Sequence, residues 1–274
     1  MRIYATVVYL FLYFPIGIIV LFSFNAGRHA SELRGLSVQW YGKAVSNPFV
    51  GDAFFTSLEI AFIVAILSSL MGTAAALALQ RLKGPLRVIL DGLIYISIMI
   101  PGIVIGIATL VALVTVFDFL NPLLAALWPE GYSPPKLRMG YASVIAAHTL
   151  FTMSLVIIIV RARIAGMDRA LIEASMDLYA TPWRTFYQVT LPQIYPAILA
   201  GFLLSFTFSF DDFIISFFVA GANTTLPIYI FSSIRRGITP EVNAIGTMVL
   251  AGSLTLLIVA QLLMRDRRQP VNPA

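Results

Sequence analysis

The stretch EASMDLY at residues 173–179, followed by VTLP at residues 189–192, lies between two long apolar runs at 141–160 and 197–220. Each run has about 20 or more mostly apolar residues, the length that an α-helix needs to cross the roughly 30 Å hydrocarbon core of a bilayer. Over the whole chain 59% of residues are hydrophobic and 11% are charged, against roughly 25% charged residues in soluble domains. The pattern predicts an integral membrane protein with a polar connection between two spans.

Four further apolar runs complete the predicted fold, an all-α polytopic membrane protein with six transmembrane helices. The predicted spans are residues 4–24, 58–79, 89–117, 141–160, 197–220 and 244–264. Pro101 lies inside the third span, where the missing backbone donor is expected to kink the helix. Because the loops are too short to form soluble domains, we expect residues 1–274 to form a single transmembrane domain.

The distribution of basic residues predicts the orientation. The first apolar run lacks a strongly basic start and a small-residue cleavage site, so we expect a retained helix and not a cleaved signal peptide. With the N-terminus inside, eleven of the 18 Lys and Arg residues fall in inner segments and seven in outer loops. The positive-inside rule then places both termini and the loop at about 161–195 in the cytoplasm. The net charge of +5 reflects this orientation and gives no reason to expect nucleic-acid binding.

Several kinds of chemistry are disfavoured by the residues that are present. The chain has no cysteine and two histidines, His29 and His148, which are too few and too far apart for a histidine metal cluster. No glycine-rich phosphate loop ending in Gly-Lys-Ser/Thr occurs, so any use of ATP must come from a partner. We expect His148 to be a hydrogen-bonded interhelical histidine. We expect no cofactor and no catalytic constellation, and therefore no enzyme.

The loop between the fourth and fifth spans is predicted to form two short helices with a corner between them. Residues 169–180 favour a first helix, while Thr181 offers an N-cap and Pro182 suits the first position of a second. An aromatic stripe at helical spacing, expected to pack on the membrane domain, consists of Trp183, Phe186 and Tyr187.

The first of these short helices has residues suited to a groove on another protein. Glu173 would present a carboxylate there, and the small Ala174 and Ser175 would permit close approach. An ordinary amphipathic connector explains the same pattern from the residues alone, since short amphipathic segments are common. Both interpretations stay open at this point.

The fifth span holds two adjacent carboxylates, Asp211 and Asp212. An aspartate at mid-span costs about 2.5 to 3.5 kcal/mol, so both should face protein or water. Neighbours on a helix point about 100° apart, so the two carboxylates should differ in role. Asp212 continues a polar stripe that we expect to line a pathway and that also contains Ser205, Ser209 and Ser216. Asp211 is expected to be a structural partner, for example to Arg235 or Arg236; the alternative is that both acids only pair with arginines or end the span.

Several motifs resemble those of type I ABC importer permeases, the binding-protein-dependent inner-membrane components. The loop has Glu-Ala-Ser at 173–175, Tyr179 six residues after Glu173, and then Val-x-Leu-Pro at 189–192. The second half of the chain is similar to permeases of spermidine/putrescine importers. The other segments that carry the resemblance are PGIVIGI (101–107), LSF (204–206), DD (211–212), LP (226–227), ITPEVNA (238–244) and RD (265–266).

The resemblance implies a permease subunit in the bacterial inner membrane that forms half of a translocation pathway. It implies two ATPase subunits, a second permease subunit and a periplasmic or lipid-anchored solute-binding protein as partners. The residues implied to couple to the ATPase are Glu173, Ala174, Ser175, Asp177, Tyr179, Leu191 and Pro192. A polyamine is the implied solute, and a carboxylate on the route suits such a cation. An iron complex, a phosphonate or an opine-like amine are alternatives, and an ion-coupled secondary transporter is a more distant one.

One residue departs from the family pattern, which has glycine where this chain has Tyr179. Glycine at that place would end the first short helix in a left-handed conformation, which costs a tyrosine about 1 to 2 kcal/mol. We therefore expect that the helix continues through Ala180 or that the corner is built differently. A glycine at this position should be tolerated.

Overall fold

The structure is a computed structural model that describes residues 2–28, 32–129, 132–237 and 239–265, so that His29 and Asp266 lie outside the described residues. Twelve α-helices and one π-helical turn occur in this part of the chain, and it has no β-strand. In chain order they are α1 (Arg2–Ser23), α2 (Gln39–Ser46), α3 (Pro48–Arg81), α4 (Pro85–Met99), α5 (Gly102–Leu127), α6 (Tyr141–Ala165), α7 (Ala170–Asp177), α8 (Pro182–Thr185), the π turn (Phe186–Thr190), α9 (Leu191–Asp211), α10 (Ile214–Val219), α11 (Leu226–Arg236) and α12 (Pro240–Arg265).

The all-α membrane fold is confirmed. Five of the described helical segments are long and apolar enough to cross a bilayer, namely Tyr4–Ser23, Pro48–Arg81, Gly102–Leu127, Tyr141–Ala165 and Pro182–Asp211. The sixth predicted span, 244–264, coincides with α12, a helix of 26 residues. At 1.5 Å per residue α12 is about 39 Å long, more than the hydrocarbon core requires.

The predicted boundaries of the third span, 89–117, are wrong. Instead of one kinked helix the structure has two, α4 and α5, separated by Ile100 and Pro101. Ile100 is extended, with φ −68° and ψ 133°, because the ring of the following proline disfavours helical backbone at the preceding residue. The helix long enough to span is therefore α5, whereas the 15 residues of α4 reach only about 22 Å.

The predicted fifth span, 197–220, is also wrong at both ends. Its helix begins at Leu191 and is continuous with the π turn and α8, and it ends at Asp211. Asp212 is extended, with φ −71° and ψ 119°, and a separate six-residue helix, α10, follows. The two aspartates consequently lie at a break between two helices rather than in the middle of one.

The chain divides into two compact units, one formed by Met1–Asp52 with Tyr229–Ala274 and the other by Ala53–Ile228. In the first unit α12 packs against α1 and α2. The indole Nε1 of Trp40 donates to the carbonyl of Asn25 at 2.8 Å, and the Asn47 amide donates to Glu241 at 2.9 Å. The first bond ties α2 to the segment that follows α1, and the second ties the end of α2 to the start of α12.

The second unit is built around α6, which packs against α9, α4 and α10. Val156 of α6 is fully buried. A Cβ placed on Gly72 would lie 2.8 Å from the Val156 side chain, and one placed on Gly201 would lie 3.2 Å from it. Glycines on α3 and α9 thus permit close approach to the same valine. On α5, a Cβ on Gly106 would lie 2.7 Å from the Phe218 ring, so glycine here permits close packing of α5 against α10.

Candidate functional site

The predicted corner between two short helices lies between α7 and α8. Helix α7 ends at Asp177, and Tyr179 has φ +58°, the single described non-glycine residue with a positive φ. The N–H of Ala180 donates to the Ser175 carbonyl at 3.1 Å and that of Tyr179 to the Met176 carbonyl at 2.9 Å. This is the Schellman pattern of a glycine-terminated helix. Neither expected alternative is correct, because Tyr179 adopts the strained conformation itself.

The start of the second short helix is confirmed. Thr181 is extended and its Oγ1 accepts the N–H of Arg184 at 3.4 Å, with Pro182 at the first helical position. The Oγ atoms of Ser175 and Thr185 lie 3.0 Å apart, and Thr185 is buried. This bond fixes α7 against α8 across the corner.

The aromatic stripe does not pack on the membrane domain as expected. The rings of Trp183, Phe186 and Tyr187 contact one another, with centroids 5.1 to 5.9 Å apart. On this chain Trp183 remains 69% exposed and Tyr187 52% exposed. The reason is that the π turn joins this segment directly to α9, so the helix continues into the span instead of lying along the surface.

The predicted coupling residues form an exposed surface around this corner. Glu173, Ala174 and Asp177 are exposed, and Tyr179 is 96% exposed. Ser175 is half-buried by its bond to Thr185. Leu191 is half-buried and Pro192 is exposed. Both lie at the start of α9, beyond the π turn.

Two polar contacts fix the ends of the helices beside this loop. Arg161 of α6 forms an ion pair with Asp91 of α4, which also lies 3.7 Å from Arg87. Arg163, two residues further along α6, donates through Nε to the Gln193 carbonyl at 2.8 Å. These contacts join the end of α6, next to the loop, to α4 and to the start of α9.

The second part of the candidate site is the break between α9 and α10, where a buried histidine meets the polar stripe. His148 of α6 is 2% exposed. Its Nδ1 lies 2.8 Å from Ser209 Oγ, and its Nε2 lies 3.1 Å from both Asp212 Oδ2 and Ser216 Oγ. The same carboxylate oxygen accepts the Ser216 N–H at 2.9 Å. The expectation that His148 is a hydrogen-bonded interhelical histidine is confirmed.

The two aspartates have different surroundings. Asp212 has an exposed side-chain fraction of 21% and is bound by His148 and Ser216. Asp211 is exposed, and no cation lies within ion-pair distance of it among the described residues of its own unit. Arg235 and Arg236 belong to the other unit, so the expected pairing with them stays a prediction.

The three serines of the predicted stripe are all buried. Ser209 and Ser216 bind His148, whereas Ser205 is fully buried and its hydroxyl has no partner among the described residues. Sequence reasoning had not connected His148 with this stripe. The available signal was that a histidine and an aspartate in neighbouring apolar spans must each find a polar partner.

Similarity to known proteins agrees with this architecture. Residues 68–268 match the profile of the family described as binding-protein-dependent transport system inner membrane component. The chain belongs to this family. It is 34% identical over 260 residues to the spermidine/putrescine transport system permease protein PotC of Haemophilus influenzae, covering 94% of each chain. Against the putrescine permease PotI of Escherichia coli K12 it is 34% identical over 267 residues, covering 96% of this chain and 90% of PotI.

Solved structures with the same fold come from transporters of another solute. A bacterial ABC transporter involved in the import of the acidic polysaccharide alginate matches with a TM-score of 0.74 at 15% identity, over 98% of this chain and 95% of that one. A complex of an alginate transporter with its periplasmic protein matches with a TM-score of 0.69 at 16% identity, over 97% and 93%. At this identity the match establishes the permease fold alone.

Ser209, His148 and Asp212 also have the residue types of a hydrolase triad, but the serine and histidine are both nearly inaccessible to solvent. The relatives are transport permease subunits, a non-enzymatic class. The network therefore holds helices together and gives no reason to assign a reaction.

Proposed function

We propose that this chain is a permease subunit of an ATP-driven importer of polyamines. The observation that carries the proposal is the similarity over almost the whole chain to permeases named for spermidine and putrescine. The carboxylates at the helix break support the same class of solute, because a cation that leaves water needs compensating negative charge. They favour a polyamine over an anionic phosphonate.

The permease works with partners that supply energy and solute. A pair of ATPase subunits binds ATP on the cytoplasmic side, a second and different permease subunit forms the other half of the pathway, and a periplasmic or lipid-anchored protein delivers the solute. Both termini of this chain lie in the cytoplasm, as the basic residues predict. The solved complex of a related fold with a periplasmic protein supports this assembly.

The corner between α7 and α8 is the surface that receives the ATPase. Its exposed face carries a carboxylate at Glu173 and a protruding ring at Tyr179. Movement of the ATPase pair is transmitted from α7 to α8 through Ser175 and Thr185, and then along the continuous helix 182–211 to the helix break. Closure of the ATPases thereby rearranges the pathway between inward-open and outward-open states.

The break between α9 and α10 is the part of the chain that meets the solute. Substrate sites of transporters are commonly built where membrane helices are discontinuous. The residue spacing predicted that Asp212 lines the pathway and that Asp211 is a structural partner. The described contacts favour the reverse assignment. Asp212 is bound by His148 and Ser216 and holds the break, whereas the exposed Asp211 carboxylate is available to a cation. An exposed carboxylate here must face water or another subunit, since contact with lipid costs several kcal/mol.

Uptake in cells tests this function. The chain and its co-encoded partner subunits are expressed in a bacterium deleted for its own polyamine importers, and uptake of radiolabelled spermidine and putrescine is measured. We expect uptake that disappears when this chain is omitted and that unlabelled polyamine inhibits. An excess of a phosphonate or an iron complex should not compete. Inhibition by one of these solutes, with none by polyamine, would overturn the proposed substrate.

A further inference from the structure

His148 connects both sides of the helix break to α6. Ser209 lies three residues before Asp212 on α9, and Ser216 lies four residues after it on α10. The imidazole contacts all three side chains at 2.8 to 3.1 Å. With the ring 2% exposed, water does not compete for these bonds, which makes them stronger than the same bonds at a surface.

The chemistry of the partners determines how the ring is used. Nε2 lies within hydrogen-bond distance of the Asp212 carboxylate and Nδ1 within that of the Ser209 hydroxyl, so each ring nitrogen has a partner. A buried ring that is held at both nitrogens fixes the distance between α9 and the residue that begins the break.

The exposed Asp211 carboxylate is adjacent to this fixed point. Asp212 is extended and Phe213 is helical, so the backbone turns out of α9 immediately after Asp211. Because Asp211 is bonded directly to Asp212, the contact that holds Asp212 also holds the end of α9 that carries the Asp211 carboxylate. We infer that His148 is a positioning residue for transport, which fixes the α9–α10 break and thereby aims the Asp211 carboxylate. This inference rests on the proposed function and adds a residue to its site.

Apolar contacts outside this network also pack the helices of the unit together. Val144 and Ala147 of α6 lie in a buried apolar cluster with Ile215 and Val219 of α10, and Val156 lies close to Gly201 of α9. A buried polar network is often no more stabilising than apolar residues of the same shape. Its retention here is explained by the fixed geometry that it gives the break.

The test compares His148→Phe, which removes both ring nitrogens, with His148→Gln, which keeps a donor for Asp212. Each variant is purified as the complete complex and reconstituted in proteoliposomes with its ATPase and spermidine-loaded binding protein. We expect His148→Phe to lower the amount of spermidine moved per ATP hydrolysed by about tenfold, the effect of losing one hydrogen bond to a charged group. ATP hydrolysis per complex should stay within about twofold of the wild type, and His148→Gln should recover part of the ratio.

Thr149→Val is the matched control, because Thr149 is the next residue of α6, is buried, and has a hydroxyl without a partner among the described residues. It should leave the ratio of solute to ATP unchanged. A merely structural role for His148 would lower the amount of complex without changing this ratio. An unchanged ratio in His148→Phe, or an equal fall in Thr149→Val, would overturn the inference.

A second measurement does not depend on the solute. The natural chain has no cysteine, so Ile214→Cys, on the exposed side of α10, gives its sole thiol for a spin label. We expect His148→Phe to increase the mobility of this label and Thr149→Val to leave it unchanged. If the wild-type complex moves neither spermidine nor putrescine, the proposed substrate is wrong. Equal label mobility in all variants would instead overturn the role of His148, whatever the substrate.

Discussion

At the scale of single residues, Tyr179 carries a conformation that its side chain disfavours. Its φ of +58° occurs at the helix end where glycine is the usual residue. The ring is 96% exposed, so no contact within the chain compensates for the strain. We infer that the ring contributes to the surface that meets the ATPase.

Replacing Tyr179 by glycine tests this strain. The change removes about 1 to 2 kcal/mol of left-handed strain, and the greater freedom of the unfolded chain cancels about 0.5 to 1 kcal/mol of that gain. Tyr179→Gly should leave the thermal midpoint of the purified complex equal or slightly higher and retain uptake. Tyr179→Val, with a branched Cβ at positive φ, should lower the midpoint. A lower thermal midpoint for Tyr179→Gly than for Tyr179→Val would contradict backbone strain at Tyr179.

The two aspartates make a second prediction at this scale. Asp211→Asn should reduce polyamine uptake by about tenfold or more at matched complex levels, because it removes the charge that we propose meets the cation. Asp212→Asn should lower the stability of the complex and, like His148→Phe, the amount of spermidine moved per ATP hydrolysed, because it weakens the contact with His148 that holds the break. Thr207→Val, one turn before Asp211 on the exposed face of α9, is the control and should retain uptake. Equal and mild effects of both aspartate changes would exclude either carboxylate from solute handling.

At the scale of helices, the loop from α7 to the π turn is the element that we propose couples to the ATPase. Glu173→Arg reverses a charge on its exposed face and should abolish uptake while the chain remains in the membrane. Gln188→Arg introduces the same residue at another exposed position of the same loop and should retain it. Uptake and the amount of complex are measured in the same membranes. Normal uptake by Glu173→Arg would show that this face of the loop does not couple transport to the ATPase.

The sequence predicted the helical elements better than the points where they break. Apolar run length located the spans because burial in lipid requires it, and Thr181 with Pro182 correctly marked a helix start. Pro101 was recognised, but a kink was expected where two helices form. No proline or glycine marks the break at Asp212, where the side chain contacts His148 of another helix. Such contacts between distant residues cannot be obtained from local pattern.

At the scale of the whole molecule, orientation is a prediction from the distribution of basic residues. Reporter fusions after Lys83, Arg163 and Arg268 should report the cytoplasm. Fusions near Arg34, Lys136 and Arg236 should report the outside, because the inner segments hold the excess of positive charge. Reporters that respond only on one side of the membrane make the measurement. A reversed pattern, or one that requires five spans, would contradict the six-span orientation.

The central claim is that this chain moves polyamines with energy from a partner ATPase. The most direct measurement is spermidine uptake into proteoliposomes that contain the purified complex and the solute-loaded binding protein, with ATP supplied on the ATPase side. We expect uptake that requires both ATP and the binding protein, and we expect the isolated chain neither to bind nor to hydrolyse ATP. Spermidine uptake driven by an ion gradient without ATP, or ATP hydrolysis with no movement of polyamine, would contradict it.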